Sequence, residues 1–465
     1  MLQTPTAADS AWMAHALQLA AKGLMTTGAN PRVGCVLVKD GQLIGEGWHE
    51  RAGEGHAEVM ALRDAESRGN NPTGCTAYVT LEPCAHHGKT PPCAEALIQA
   101  GVSRVVAAMQ DPNPLVAGQG FALLQAAGIV VVATLMAAEA EALNIGFVQR
   151  MRQGKPWVRL KMAGSLDGRS ALANGQSQWI TGSEARADGH RFRARAQAII
   201  TGVGTILADD PLLTVRDVEP PMGQSGQPVN LHAPLRVVLD RQLRTPPTAK
   251  ILQGGCLIVT ASDNAAKAQA LQAAGAEVLS LPGKDGTIDL AELLTVLAKR
   301  GVNEVHVEAG PTLSGAFIKS GLVDELLVYI APTLLGSDAR GWFDGLNLTS
   351  LDQKTAWKFQ DVRVVGADLR IMARPSSTPP APSASHEPGF TSANPGRMMT
   401  SVPMNPTATA IRRRGPTVSR RIRADSSVTI NGCTKKIASA SAIGNQCSDR
   451  KKQPVAATKS AARVR

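Results

Sequence analysis

A chain of 465 residues with 43% hydrophobic and 19% charged content has enough material for two or three domains, each with its own core. Seven cysteines over this length make no disulfide framework, and the longest apolar stretch, residues 128–138, is too short to span a bilayer. The net charge of +11 sits at one end: residues 375–465 hold 15 Lys+Arg against 3 Asp+Glu, leaving 34 basic and 35 acidic residues elsewhere, so the main body has no basic excess to suggest a nucleic-acid groove.

The chain opens with an amphipathic helix over 10–23, in which Trp12, Ala16, Leu19 and Ala20 can share a face. A strand over 33–38, an Asp40-Gly41 turn and a second strand through Ile44 form a hairpin. Helix 56–68, strand 76–81, a cysteine-bearing loop, helix 93–100, strand 103–109, helix 118–127 and strand 129–133 follow. This order predicts a sheet layered with helices. The basic stretch RMRQGKP at 150–156 marks a boundary, giving domains over 1–150 and 151–374.

The second part repeats an α/β pattern, with strands at 157–162, 198–202, 235–239, 256–259, 303–308 and 325–330. A Pro/Gly-rich loop lies at 217–234. After Arg374 the composition turns to Ser, Pro, Thr, Ala and Arg, which cannot bury enough apolar area to offset its ordering entropy. Residues 375–465 are therefore expected to be a disordered basic tail. Its run Arg412-Arg413-Arg414 suits either a solvated appendage or a contact with RNA or acidic surfaces.

The chemistry is concentrated in the first hundred residues. His56, Cys84 and Cys93 offer one nitrogen and two thiolates, the three protein ligands of a catalytic zinc site that keeps a position for water. Glu58, two residues after the histidine, is placed to take a proton from that water and pass it to a departing amine. The competing reading is a closed structural zinc site; the acid beside the histidine and the proline before Cys84 argue against it. The eight-residue loop between the cysteines is long for a nucleobase deaminase and gives His86, and less so His87, room to reach a substrate. Cys35 and Cys75, flanked by apolar residues, read as packed thiols.

Signals in the second part are weaker. No Gly-x-Gly-x-x-Gly follows a strand, so a standard dinucleotide fingerprint is absent. VHVEAGPTLSGAFI (305–318) places a strand, a short turn and a helix in succession, which suits a phosphate at a helix N-terminus or an ordinary connection equally. Gly202 and Gly204 in ITGVGTILADDPLLTVR (200–216) have the same character. Arg191, Arg193 and Arg195 cannot all face one partner on a helix, which predicts two surface charges and one phosphate ligand.

ANPRVGCVLV (29–38), GEGWH (45–49), HAEVMAL (56–62), TLEPCAHHGKTPPC (80–93) and MQDPNPLVAGQG (109–120) resemble the deaminase half of the bifunctional riboflavin-biosynthesis deaminase-reductases. KMAGSLDGRSA (161–171), SQWITG (177–182), VEAGPTLSGAF (307–317) and GLVDELLVYIAPTLLG (321–336) resemble their reductase half. The resemblance runs over residues 10–373 and implies a cytidine-deaminase-like three-layer domain followed by a dihydrofolate-reductase-like α/β domain. It implies zinc, NADPH, and a diaminopyrimidinone carrying a ribosylamino 5′-phosphate, deaminated and then reduced from ribosyl to ribityl. It further implies that Asn30, His49, His86 and Lys89 hold the deaminase substrate; a lysine also suits a phosphate on charge grounds.

In the reductase half the resemblance implies a cofactor lining of Ala163, Trp179, Thr205, Asp209 and the turn Gly310, Pro311, Thr312, Leu313, Ser314, Gly315 and Ala316. Ser177, Arg193, Leu213, Arg216 and Glu308 would line the substrate, with the arginines on its phosphate. Lys161 and Asp167 sit in matching motifs without an assigned role. Arg241, just after a strand, is a candidate for the 2′-phosphate of NADPH. Ala309 stands where many relatives have glycine, which matters only if that position needs positive φ or close cofactor approach. The expected partner is a small phosphorylated pyrimidine, with no nucleic acid and no membrane, in a cytoplasmic homo-oligomer. A nucleic-acid base deaminase anchored by its basic tail and a zinc-stabilised interaction protein are the alternatives, and the reductase motifs oppose both.

Overall fold

The structure, a computed structural model, describes residues 5–85 and 92–376. The predicted basic tail therefore lies outside the described residues, apart from its first two positions. Among the described residues, no helix is long and apolar enough to cross a membrane.

The first part runs α1 (Ala7–Lys22), β1 (Gly34–Lys39), β2 (Gln42–Trp48), α2 (Ala57–Ser67), β3 (Thr76–Val79) and α3 (Cys93–Gln99). It continues through β4 (Arg104–Ala107), α4 (Gln119–Ala126), β5 (Val130–Val132), α5 (Ala137–Leu143) and α6 (Ile145–Gln153). The strands form one sheet in the order β2-β1-β3-β4-β5, antiparallel at the β2 end and parallel from β3 onward. Helix α1 starts earlier than its apolar pattern suggests because Thr6 and Asp9 cap it reciprocally. Met13, with Ala16, Leu19 and Ala20, takes the buried face, while Trp12 is only half-buried. Asp40 and Gly41 both have positive φ, the geometry of a tight hairpin turn.

Two glycines of β2 decide where α2 lies. A methyl at Gly45 would sit 2.5 Å from the Ala61 carbonyl oxygen, and one at Gly47 would meet the Ala61 amide. Their bare backbone lets α2 pack directly onto the strand. This close approach fixes the start of α2, where His56 and Glu58 lie.

Helix α6 extends into the residues expected to form a joint, ending at Gln153 with Gly154 in the left-handed conformation. The second part then runs β6 (Trp157–Ser165), β7 (Arg169–Ala171), α7 (Ser183–Arg195), β8 (Ala198–Gly202), α8 (Val203–Asp209) and β9 (Leu235–Leu239). Next come β10 (Cys256–Thr260), α9 (Ala265–Ala273), β11 (Ala276–Ser280), α10 (Leu290–Lys299), β12 (Glu304–Glu308) and α11 (Pro311–Lys319). The last elements are β13 (Glu325–Ala331), β14 (Arg340–Gly341), β15 (Trp357–Val365) and β16 (Asp368–Pro375).

Nine of these strands form one sheet in the order β11-β10-β9-β8-β12-β6-β13-β16-β15. It is parallel from β11 to β13, and the β15–β16 hairpin adds an antiparallel edge. That hairpin has mixed, charge-rich sequence and no apolar run, so no strand was expected there. Strand β12 is inserted between β8 and β6, with Glu304, His306 and Glu308 alternating onto one face.

Polar groups at the base of β12 join the two parts. Glu304, fully buried, accepts from Arg32 at 2.7 Å, Arg159 at 3.2 Å and Arg195 at 2.7 Å. Arg159 also binds Glu325 at 2.7 Å. The three guanidinium groups hold the Glu304 carboxyl well below the usual carboxylate range despite its burial.

Candidate active sites

His56 is the residue before α2, Glu58 lies in that helix's first turn, and Cys93 opens α3. Cys84 follows β3 in a loop. His56 Nδ1 lies 3.6 Å from Cys84 Sγ and 3.3 Å from Cys93 Sγ, and the three ligand atoms all fall within 4.8 Å of one another. Neighbouring nitrogen and sulfur ligands of a tetrahedral zinc are about 3.5 Å apart for bonds of about 2.0–2.3 Å, so this donor set fits the ion.

One of the two sulfurs is electrically prepared. The Cys93 thiol and backbone amide and the His56 ring favour the Cys84 thiolate, holding its pKa well below that of an ordinary thiol. Cys93 shifts upward because one proton is shared between adjacent sulfurs in a buried place. A dication would favour loss of that proton too. Glu58 is 3% exposed, and burial with Cys84 beside it pushes its carboxyl up to about 7. A bound cation would act in the opposite direction.

Two predicted substrate residues meet the cluster. The His49 and His56 rings are in edge contact, with centroids 5.4 Å apart. His49 Nδ1 lies 3.1 Å from the Gly55 carbonyl, and Asn30 Nδ2 lies 3.0 Å from His49 Nε2. A neutral ring that donates to Gly55 and accepts from Asn30 satisfies both bonds, and burial favours that neutral form. His86, His87 and Lys89 lie outside the described residues. Cys35 and Cys75 are fully buried in the core, as expected of packed thiols.

Sequence reasoning passed over Glu82. Its carboxylate accepts from the amides of Asp111, Gly118, Gly120 and Phe121 at 2.9–3.3 Å. It fastens the loop before α4 and that helix's first turn to the Cys84 loop. An acid two residues before a ligand cysteine was the available signal, but its partners are backbone amides and leave no mark on residue type.

The second site is a cleft of about 1780 Å³ at the C-terminal ends of β8 and β12, where α8 and α11 begin. Ligands of open parallel sheets bind in such crevices. Ala163, Trp179, Thr205, Asp209, Arg241, Gly310, Pro311, Thr312, Leu313, Ser314 and Ala316 line it, with Ser177, Arg193, Leu213, Arg216, Glu308 and Lys161. Two helix N-termini and the guanidinium groups of Arg241 and Arg244 suit the phosphates of NADPH.

Two expectations change here. Gly315 does not line the cleft: α11 turns it toward Asp344, whose carbonyl a methyl group would strike. Arg195 is not a surface charge but binds Glu304, and only Arg191 of the three arginines is exposed. Arg193 donates to both oxygens of Glu308 and to the Thr214 carbonyl, and it lines the cleft together with Arg216.

Asp167 fastens a turn by accepting from Ser165 Oγ and the amides of Leu335 and Gly336. Ala309 keeps a negative φ, so its methyl group creates no backbone strain. His190, beside Arg193 and Arg216, is lowered to about 4, first by burial and then by those two cations.

Comparison with known proteins gives each half a family model. Residues 6–109 match the model of the cytidine and deoxycytidylate deaminase zinc-binding region, and residues 156–371 match the RibD C-terminal domain. The riboflavin biosynthesis protein RibD of Escherichia coli strain K12 is 51% identical over 368 residues, covering 78% of this chain and 98% of the relative. A solved Acinetobacter baumannii RibD is 46% identical with a TM-score of 0.72, covering 79% of this chain and 99% of that one. A Thermotoga maritima diaminohydroxyphosphoribosylaminopyrimidine deaminase/5-amino-6-(5-phosphoribosylamino)uracil reductase is 30% identical with a TM-score of 0.68, at the same coverage.

Fold and sites together define a zinc-dependent deaminase joined in one chain to an NADPH-dependent reductase. The chain belongs to the RibD family of bifunctional riboflavin-biosynthesis enzymes.

Proposed function

We propose that this chain first deaminates 2,5-diamino-6-ribosylamino-4-pyrimidinone 5′-phosphate and then reduces the ribosyl group of the product to ribityl. We assign residues 1–150 to the first reaction and 151–374 to the second. The observation that carries the reading is the His56, Cys84 and Cys93 cluster with the buried carboxyl of Glu58 beside it.

His56, Cys84 and Cys93 would hold zinc, which supplies the Lewis acidity that activates water near neutral pH. Glu58 takes a proton from the water and delivers it to the departing amine, so the ring exchanges an amino group for oxygen and ammonia leaves. Asn30 and His49 orient the pyrimidine, and His86 and Lys89 belong to the same substrate set.

In the cleft, NADPH when bound would supply hydride to the sugar carbon that bears nitrogen; the bond from that carbon to the ring oxygen breaks and the oxygen takes a proton, which opens the ribose ring. Ala163, Trp179, Thr205, Asp209 and the turn at 310–314 with Ala316 position the cofactor, and Arg241 reads its 2′-phosphate. Ser177, Leu213 and Glu308 hold the pyrimidine side, Arg193 orients Glu308, and Arg216 meets the substrate phosphate.

A cytoplasmic homo-oligomer without nucleic-acid partners completes the proposal. The edge strand β15 supports self-association, because it leaves Phe359, Val362 and Val364 exposed. The decisive experiment is Glu58→Gln in the zinc-loaded protein. Ammonia release should fall by at least a hundredfold, while oxidation of NADPH with pre-deaminated substrate continues. Undiminished deamination would refute the role of Glu58.

A further inference from the structure

The loop that carries Asn30 is held from the other part of the chain. Asn303, 3% exposed and immediately before β12, lies with its Nδ2 3.0 Å from the Ala29 carbonyl oxygen and 3.4 Å from that of Gly28. Its Oδ1 accepts from Arg150 Nε at 2.6 Å, and Arg150 Nη2 also reaches Ala29 O, at 3.3 Å. A guanidinium can only donate, so the amide oxygen must face Arg150 and its NH2 must face the two carbonyls. Two residues past Asn30, Arg32 binds Glu304, the next residue of the same segment. Consecutive residues, Asn303 and Glu304, therefore grip the loop on both sides of Asn30.

Asn30 in turn bonds His49, whose ring abuts His56. We propose that Asn303 is a positioning residue of the deaminase: by holding the Gly28 and Ala29 carbonyls, it sets the reach of the Asn30 amide into the pyrimidine site. The reductase half thus completes the deaminase half. Glu308, at the far end of β12, lines the reductase cleft about 16 Å away, given about 3.3 Å per strand residue. One short strand has an end at each site. The proposal rests on Asn30 as a substrate-holding residue.

The test is steady-state deamination by the full-length, zinc-loaded protein, with Asn303→Ala and Asn303→Asp each made alone and Asn303→Ala also combined with Asn30→Ala. Asn303→Ala should raise the deaminase KM about five-fold, the equivalent of one ordinary hydrogen bond, with kcat little changed. Asn303→Asp should raise it further, because a carboxylate oxygen would face the two carbonyl oxygens and repel them. Zinc content and NADPH oxidation on pre-deaminated substrate should stay at wild-type values, which also shows that the variants fold. In the Asn30→Ala background, Asn303→Ala should have no further effect. An unchanged KM in Asn303→Ala alongside a raised KM in Asn30→Ala would overturn the proposal, as would additive effects in the double variant. An unchanged KM in Asn30→Ala itself would remove the substrate role of Asn30, and the proposal with it.

Discussion

Arg32 and Glu304 meet at 2.7 Å across the junction of the two sheets, with side chains 4% and 0% exposed. Arg32 also donates to the carbonyls of Leu143 and Leu24, so its guanidinium ties α5, the loop after α1 and β12 to one point. Removing one member of a buried charge cluster leaves its partners desolvated and under-compensated. Arg32→Ala should cost about 3 kcal/mol of stability, read as a lowered urea midpoint. A loss below about 1 kcal/mol would mean that Arg159 and Arg195 alone satisfy Glu304.

Cys84→Ser should abolish stoichiometric zinc binding, since a serine hydroxyl does not ionise near neutral pH and cannot replace a thiolate ligand. Metal analysis of the purified variant should give well under one zinc per chain. Ammonia release should vanish while reduction of pre-deaminated substrate persists. Full zinc content in Cys84→Ser would show that the metal is held elsewhere.

Acid should weaken the anchor of α1. Arg104 holds the Asp9 carboxyl well below the usual carboxylate range, with the Thr6 amide and Tyr78 hydroxyl also donating to it. Because the folded pKa lies below the unfolded value of about 3.9, Asp9 contributes stability that is fully present above that value and lost as pH falls through the folded one. The urea midpoint of wild type should therefore exceed that of Asp9→Asn at pH 6, and the gap should close toward pH 2. A gap that stays constant across that range would refute the linkage.

A methyl group at Gly120 would collide with the Pro83 carbonyl oxygen, while the Gly120 amide binds Glu82 at 2.9 Å. Gly120→Ala should push the start of α4 away from the residue preceding Cys84. The expected cost is about 1–3 kcal/mol, with faster loss of zinc to a chelator than in wild type. Unchanged zinc release would separate this packing from the metal site.

Arg216→Ala should raise the reductase KM for the phosphorylated substrate at least tenfold, because a charge-assisted bond to phosphate is lost, and leave the KM for NADPH nearly unchanged. Arg241→Ala should narrow the preference for NADPH over NADH. A preserved preference would remove Arg241 from 2′-phosphate recognition.

The zinc-site chemistry was legible because ligand type and short spacing carry it: a histidine and an acid two residues apart, then two cysteines bracketing a loop. The reductase cleft was legible only through resemblance. Its glycine turns are common in strand-to-helix connections, and their meaning depends on β8 and β12 being neighbours. Arg195 was misread because its partner, Glu304, lies more than a hundred residues away. The β15–β16 hairpin was missed because its apolar alternation, Trp357 and Phe359 and then Val362 and Val364, loses its period at the bulge between Phe359 and Asp361.

The chain alone determined which atoms could do the chemistry: the imidazole, two thiols and carboxyl at 56–93, and the cations and glycines of the later motifs. Those are properties of residue type, and folding does not alter them. Tertiary structure decided which of these groups are free and which are spent. It committed Arg195 to Glu304, kept Arg193 and Arg216 on the cleft, turned Gly315 to the packed side of α11, and brought Asn303 against the loop of Asn30. The physical reason is that a hydrogen bond or ion pair depends on distance and burial, and these arise only where strands far apart in sequence, such as β12 between β8 and β6, come to lie side by side.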